Sequence, residues 1–465
     1  MNSSDTEQLL DPAYVEDAAA VAQSDAGDGV EPGGFARKLA RWTTKGGLAI
    51  LDQGLISGSN FAISIVLANL LAPVQYGAFS LAFSVFLLLS YVYQSLLSEP
   101  QGVFSGSAYS QCLRGYLKAL LGIQAMVTIF GIVLLGGSAA VVYFMGKADG
   151  LPGALAGVAI ASPCILFFWL LRRAYYMNLA PARAAVGALI YCGLVAGGLW
   201  LAYKETLVSP FSAYLMMAIG ALGAGFYLLS QVNKVLPPDT VKAPTAGQAW
   251  HKHWEYGRWA LAVSVVTWIP YYMYYPLVSA FNGMAQAGQL RALMNLSLPM
   301  EQTYTALSIL FLPYAARVCR EKGIGASGPL VRRITLLFVV GAAAYWAVLI
   351  PLKGYVFHVV YRGKYTEVAH FIPYVALGTT LWAAAFGPAI LLRAIESPDS
   401  IFYARVVASA LSLIVGVPAT RAFGLWGVVV SIIIANFAAF LISMYILYRK
   451  AHSISLPSPV LQGES

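Results

Sequence analysis

The sequence predicts an all-α polytopic membrane protein of about twelve transmembrane helices in two six-helix lobes. Three observations carry that expectation. Only 11% of the 465 residues are charged and 59% are hydrophobic, whereas a soluble domain is about 25% charged. Apolar runs of the ~20 residues needed to cross ~30 Å of hydrocarbon are centred near residues 58, 87, 130, 161, 194, 221, 269, 303, 342, 382, 411 and 436. The third observation is internal repetition. Span seven begins about 210 residues after span one, and each is followed by a turn with a glycine, Gly77 and Gly288. Leu170-Leu171-Arg172 before Pro181 likewise has a counterpart in Leu391-Leu392-Arg393 before Pro398, as a duplicated half would show.

Orientation follows from the basic residues. With the N-terminus inside, 22 of the 29 Lys and Arg residues fall on the cytoplasmic side, Arg172, Arg173, Arg393 and Arg405 among them. Six fall outside (Lys147, Lys204, Lys353, Arg362, Lys364 and Arg421), and Arg291 lies within a span. Cytoplasmic loops carry the excess of positive charge, so both termini are expected in the cytoplasm. The net charge of +9 then reflects membrane orientation, and no nucleic-acid partner is expected. Cys112, Cys164, Cys192 and Cys319 are scattered, with no CxxC pair, so neither a disulfide framework nor a metal site is implied.

The chain divides by composition. Residues 1–45 read as an acidic cytoplasmic tail ending in a basic segment. The first 35 hold eight acidic residues and no Lys or Arg, a composition that predicts disorder. No signal peptide is expected there, which leaves span one as the targeting signal. Arg37, Lys38, Arg41 and Lys45 follow, and an amphipathic interfacial helix over Gly34–Thr44 is expected. Residues 46–232 form the first lobe, 233–256 a linker marked by Pro237-Pro238, 257–449 the second lobe, and 450–465 a cytoplasmic tail.

Polar residues within the spans are the candidate functional groups, because a polar group in hydrocarbon is costly unless it faces protein or a wet cavity. Span one carries Asp52, Gln53, Ser57, Asn60 and Ser64. At about 100° per residue, Gln53, Ser57, Asn60 and Ser64 share roughly one 60° sector, the pattern of a helix lining a solvated cavity. Span seven places Ser264, Trp268, Tyr271 and Tyr275 on one face, suited to stacking on sugar rings; Tyr274 and Tyr275 also fit an interfacial aromatic belt. In span eight, Arg291, Asn295 and Gln302 lie within about 40° of one another on an ideal helix, with a kink expected at Pro299. Arg291 would attract a phosphate or pyrophosphate. Glu301, near mid-membrane, and Asp52, near the inner end of span one, are the candidates for binding H+ or Na+ as a coupling ion. Other readings stay open for these residues: an Arg291–Glu301 pair that only holds the span, and an Asp52 solvated beside Lys45.

The first hairpin carries a family resemblance. Leu70-Leu71-Ala72-Pro73-Val74-Gln75-Tyr76-Gly77-Ala78-Phe79 resembles the Leu-Leu-Gly-Pro-x-x-Tyr-Gly-x-Phe turn of bacterial polysaccharide flippases, with Ala72 in place of Gly. Those proteins are the Wzx-like branch of the MOP (multidrug/oligosaccharidyl-lipid/polysaccharide) exporter superfamily, which shares its fold with the MATE transporters. Val356–Gly378, with Tyr361, Gly363 and Tyr365, looks like the family's outer loop before span ten. The resemblance spans about residues 45 to 450 and is a hydrophobic-and-turn pattern rather than a catalytic signature. Where the family often has an Arg before the first Leu-Leu, this chain has Asn69, which shifts the cationic role to Arg291.

The resemblance implies a MATE-like fold whose two lobes enclose a cationic cavity. It also implies export of undecaprenyl-pyrophosphate-linked oligosaccharide across the bacterial inner membrane for exopolysaccharide, capsule or O-antigen, by alternating access coupled to an ion gradient. The expected partners of such a flippase are that lipid-linked substrate, membrane lipid, a polysaccharide polymerase and chain-length or export proteins. No cofactor is expected beyond the coupling ion, and no enzyme activity. Two rivals remain: a multidrug or cation antiporter of the same superfamily, and a membrane polysaccharide polymerase or acyltransferase. Polymerases usually display a large outer loop, and here the longest, about Leu352 to Tyr365, is short.

Overall fold

The computed structural model describes residues 34–146, 150–323, 327–395 and 397–453. The expected disorder of the acidic tail concerns residues that lie, apart from 34 and 35, outside this set, as do residues 454–465. All regular structure among the described residues is helical.

The chain opens with α1 (Gly34–Leu70), α2 (Pro73–Tyr93), a π turn at Gln94–Ser98 and α3 (Glu99–Gly106). The interfacial helix expected over Gly34–Thr44 is not separate, because α1 runs unbroken from Gly34 through the first span. Pro73 starts α2, where a missing N–H costs nothing and the fixed φ suits the helix. Next come α4 (Leu113–Phe144), α5 (Leu151–Met177), α6 (Pro181–Lys204) and α7 (Pro210–Val235). The second half comprises α8 (Ala246–Tyr272), α9 (Tyr274–Asn282), α10 (Met284–Asn295), α11 (Leu298–Lys322), α12 (Gly328–Leu349) and α13 (Lys353–Tyr361). It ends with α14 (Ile372–Ala384), α15 (Phe386–Ala394), α16 (Pro398–Leu411), α17 (Val417–Phe423) and α18 (Leu425–Ser453).

Ten helices among the described residues are long and apolar enough to cross a membrane, or eleven if the bent pair α8–α9 counts as one span. These include the regions of eleven of the twelve expected centres. The twelfth, near residue 303, falls in α11, which is long enough but carries Glu301, Gln302, Thr303 and Thr305 in its first two turns. The chain is a multi-pass membrane protein.

Among the described residues, the backbone resolves into a first unit of residues 34–268 and 278–292 and a second unit of 269–277 and 293–453. The units share a packing order. In the first, α5 packs on α4 and α7, and α6 on α7; in the second, α14 packs on α12 and α18, and α16 on α18.

Spans seven and eight are both broken, for traceable reasons. The axes of α8 and α9 differ by 46°. Pro270 and Pro276 flank that bend, each removing an N–H from the helical ladder. Between α10 and α11 the helix stops at Leu296 and Ser297, and Pro299 falls in the first turn of α11; the kink expected at Pro299 is a full break. Gly77 and Gly288, read from sequence as turn glycines, lie inside α2 and α10 and touch each other. A Cβ on Gly77 would sit 1.7 Å from the Met284 carbonyl oxygen, and one on Gly288 would sit 2.6 Å from that of Pro73. Only glycine at both positions lets these two backbones cross.

Candidate functional site

In the first unit, α10 brings Arg291 against α1 and α2. Its side chain is buried, with 8% of its surface exposed. The guanidinium Nε donates to Ser64 Oγ at 3.3 Å and its carbon stands 4.9 Å from the centre of the Phe83 ring. Ser64 is itself held by the Tyr76 hydroxyl at 2.9 Å. Tyr76, from the first hairpin turn, therefore positions this cation through Ser64, while Phe79 of the same turn stacks on Tyr214 at 4.8 Å. Asn60, one helical turn before Ser64, lines a small cavity of about 40 Å³ in the same unit, walled by Phe83, Phe86, Trp169, Tyr191 and Met217.

Asp52 has a different environment. It is fully buried, not solvated at the end of its span. Arg172 Nε donates to both carboxylate oxygens, at 3.1 and 2.8 Å, and Nη2 donates to one of them at 2.5 Å. The Tyr176 hydroxyl donates to the same carboxylate, and Gln53 Oε1 accepts from Arg172 Nη2 at 3.3 Å. Arg172, counted as a loop cation, thus lies buried in α5 and neutralises Asp52. The sequence signal was there: Leu170-Leu171-Arg172-Arg173 continues an apolar run without a turn residue.

Span seven is fastened to the first unit by polar contacts along α8. Ser264 Oγ lies 2.6 Å from Ser95 Oγ, and the Trp268 indole N–H donates to the Ser84 carbonyl at 3.1 Å. His253 is buried, its Nδ1 2.9 Å from the Leu96 carbonyl within the π turn and its Nε2 2.6 Å from the Tyr116 hydroxyl. A π turn frees carbonyls from the ladder, and His253 takes up one of them. The linker is bound as well: the Asp239 carboxylate accepts from the backbone N–H groups of Arg114 and Gly115 at 3.0 and 2.8 Å, capping α4.

In the second unit, the break before α11 organises the site. Tyr345 donates to the Leu296 carbonyl at 2.6 Å, and the Ser297 hydroxyl donates to Glu301 Oε1 at 2.5 Å. Glu301 is half-buried, Gln302 is exposed and Asn295 is fully buried. Because α10 ends at Asn295, the single helical face expected to carry Arg291, Asn295 and Gln302 does not extend past that residue. Tyr271 is 45% exposed and Tyr275 only 4%. The aromatic face expected of span seven is thus divided, with Trp268 in the first unit and Tyr271 and Tyr275 in the second. Sequence reading missed Trp382, whose indole N–H donates to the Tyr271 hydroxyl at 2.8 Å. No signal marked it among ten tryptophans.

Among the described residues, no three His, Cys, Asp or Glu side chains come together to hold a metal ion. The fold is that of the MOP superfamily transporters. The chain is similar in structure to a multidrug resistance MATE family transporter of that superfamily, with a TM-score of 0.73 and 12% identity, covering 87% of this chain and 96% of that one. It is similar to the lipid II flippase MurJ, with a TM-score of 0.62 and 15% identity, over 88% and 90% of the two chains. A MOP superfamily transporter from Pyrococcus furiosus, described as having a binding pocket of reverse polarity, matches with a TM-score of 0.62 and 11% identity, over 98% and 100%. These structures are transporters and a flippase, not enzymes. No family model matches the sequence, and no curated protein does.

Proposed function

We propose that this chain is a flippase of the bacterial inner membrane, with both termini in the cytoplasm. It moves undecaprenyl-pyrophosphate-linked oligosaccharide repeat units outward for exopolysaccharide, capsule or O-antigen synthesis. The observation that carries this reading is Arg291, a buried guanidinium held by Ser64 and the Phe83 face within a MOP-type fold. A pyrophosphate is the part of such a substrate that least tolerates hydrocarbon, and an arginine fork matches it in charge and geometry. Glu301, the acid of span eight, is the residue assigned to H+ or Na+ coupling; Asp52 is engaged by Arg172 and takes the lesser share of that role. A polysaccharide polymerase and chain-length or export proteins would act on the delivered units.

The test is a deletion strain carrying wild type, Arg291→Ala or Glu301→Gln, read by surface polysaccharide and lipid-linked intermediates. Loss of polymer with single lipid-linked repeats on the inner leaflet, rescued by wild type alone, is expected. Normal polymer from Arg291→Ala at native expression would overturn the Arg291 assignment. A second reading, a multidrug or cation antiporter, draws on the half-buried carboxylate of Glu301 and the likeness to a MATE transporter. Unchanged polymer with altered drug sensitivity would favour it.

A further inference from the structure

α8 is longer than a membrane is thick. Its 27 residues, at 1.5 Å each, make about 40 Å against ~30 Å of hydrocarbon. Its far end continues into α9 as one bent candidate span, so the surplus length falls at its start, over residues 246–258. Two faces of this start differ. Ala249, His253, Gly257 and Ala260 are buried at spacings of four, four and three. A Cβ on Gly257 would lie 2.6 Å from the Ser95 carbonyl oxygen, so this face is closed against the π turn of the first unit. Trp250, Trp254 and Arg258 recur every fourth residue on the adjoining side and are exposed, the two indoles at 36% and 43%. The two indole rings are 6.1 Å apart.

The neighbouring charges meet groups of the chain itself. The Lys252 ammonium stands over the rings of Phe104 and Tyr109 at 5.1 and 5.4 Å. His251 pairs with Glu255 at 3.2 Å, and Asp239 caps α4. Both acids of residues 236–258 are thus engaged within the chain, while Lys242 and Arg258 stand exposed. Indole rings settle at the headgroup level of a bilayer, and a guanidinium there meets phosphate. With the local acids engaged, the surface favours a headgroup of net negative charge over a zwitterionic one. The stripe is continuous with a candidate span, which holds it at the membrane surface, where phospholipid surrounds it. We propose that Trp250, Trp254 and Arg258 form a binding surface for the headgroup of an anionic phospholipid. It belongs to the linker end of α8, apart from Arg291, and does not depend on what the chain transports.

The test offers the full chain, in detergent micelles, equal amounts of phosphatidylglycerol and phosphatidylcholine, and reads the retained lipid by native mass spectrometry. Wild type should retain phosphatidylglycerol in preference. Arg258→Gln should lower that preference about fivefold, the equivalent of about 1 kcal/mol for one basic residue at a lipid surface. Trp250→Leu combined with Trp254→Leu should lower retention of both lipids, because it keeps apolar bulk and loses the amphipathic indoles. Lys204, whose Nζ stands 4.0 Å from the Trp200 ring in α6, supplies the control, and Lys204→Gln should keep the wild-type preference. All these side chains are exposed, so melting temperatures in zwitterionic micelles should stay at the wild-type value. Wild-type behaviour of Arg258→Gln or of the tryptophan double variant, or an equal fall in Lys204→Gln, overturns the site. A dimer mass that Trp250→Glu abolishes would give the surface to a second copy of the chain and overturn the lipid assignment.

Discussion

Three arginines are buried in helices of the first unit, and two of them, Arg172 and Arg291, have contrasting surroundings. Arg172 makes three hydrogen bonds to the carboxylate of Asp52, with Tyr176 and Gln53 completing the shell. Arg291 meets a serine hydroxyl and a phenylalanine face within the same unit. The first arrangement uses up its charge inside the protein and so holds α1 to α5. The second sets a guanidinium against a hydroxyl and an aromatic ring, joining α10 to α1 and α2. Burial alone does not distinguish the two arginines; the nature of their neighbours does.

Four substitutions sharpen that contrast, in falling order of their effect on folding. Arg172→Ala leaves the Asp52 carboxylate buried without its cation, and breaking such a pair costs about 3–5 kcal/mol. It should sharply lower the yield and melting temperature of purified protein. The double variant Asp52→Leu with Arg172→Met should recover much of that loss, since well-packed apolar replacements of a buried pair are often neutral. Gly77→Ala drives a methyl into the Met284 carbonyl. Overpacking of this kind costs about 1–3 kcal/mol, to be read as a melting shift that a smaller neighbour cannot relieve, because the obstacle is backbone. Asp239→Ala removes the cap of α4 at about 1 kcal/mol, and the cleavage rate of the 233–245 linker by protease should rise. Arg291→Ala should disturb folding least of the four and abolish transport, while Arg291→Lys retains part of it through its point charge. A transport-competent Arg291→Ala, or a transport-dead but fully stable Arg172→Ala, would erase the distinction between the two arginines.

Much of the fold was legible because its signals are local. Runs of ~20 apolar residues mark spans whatever surrounds them; ten of the twelve expected centres lie in described helices long and apolar enough to cross, and an eleventh lies in the bent pair α8–α9. Other features needed partners from elsewhere in the chain. Arg172, Arg173 and Arg405 look like loop cations because positive charge at a span end usually is one; for Arg172 the difference is an aspartate 120 positions away. Gly77 and Gly288 were visible as a recurring pair but read as turn residues, since nothing local shows that two backbones cross there. The helical face drawn through Arg291, Asn295 and Gln302 assumed a continuous helix, and periodicity cannot register a break of two residues.

By itself, then, the sequence determined the class of protein and the number of spans to within one or two. Hydrocarbon imposes these through length and transfer free energy, which each segment meets alone. Tertiary structure decided which polar residues neutralise one another and what the others pack against. Asp52 with Arg172, and Tyr271 with Trp382, are pairings over more than a hundred residues. The cost of a buried charge depends on the group that meets it, and that group is chosen by packing.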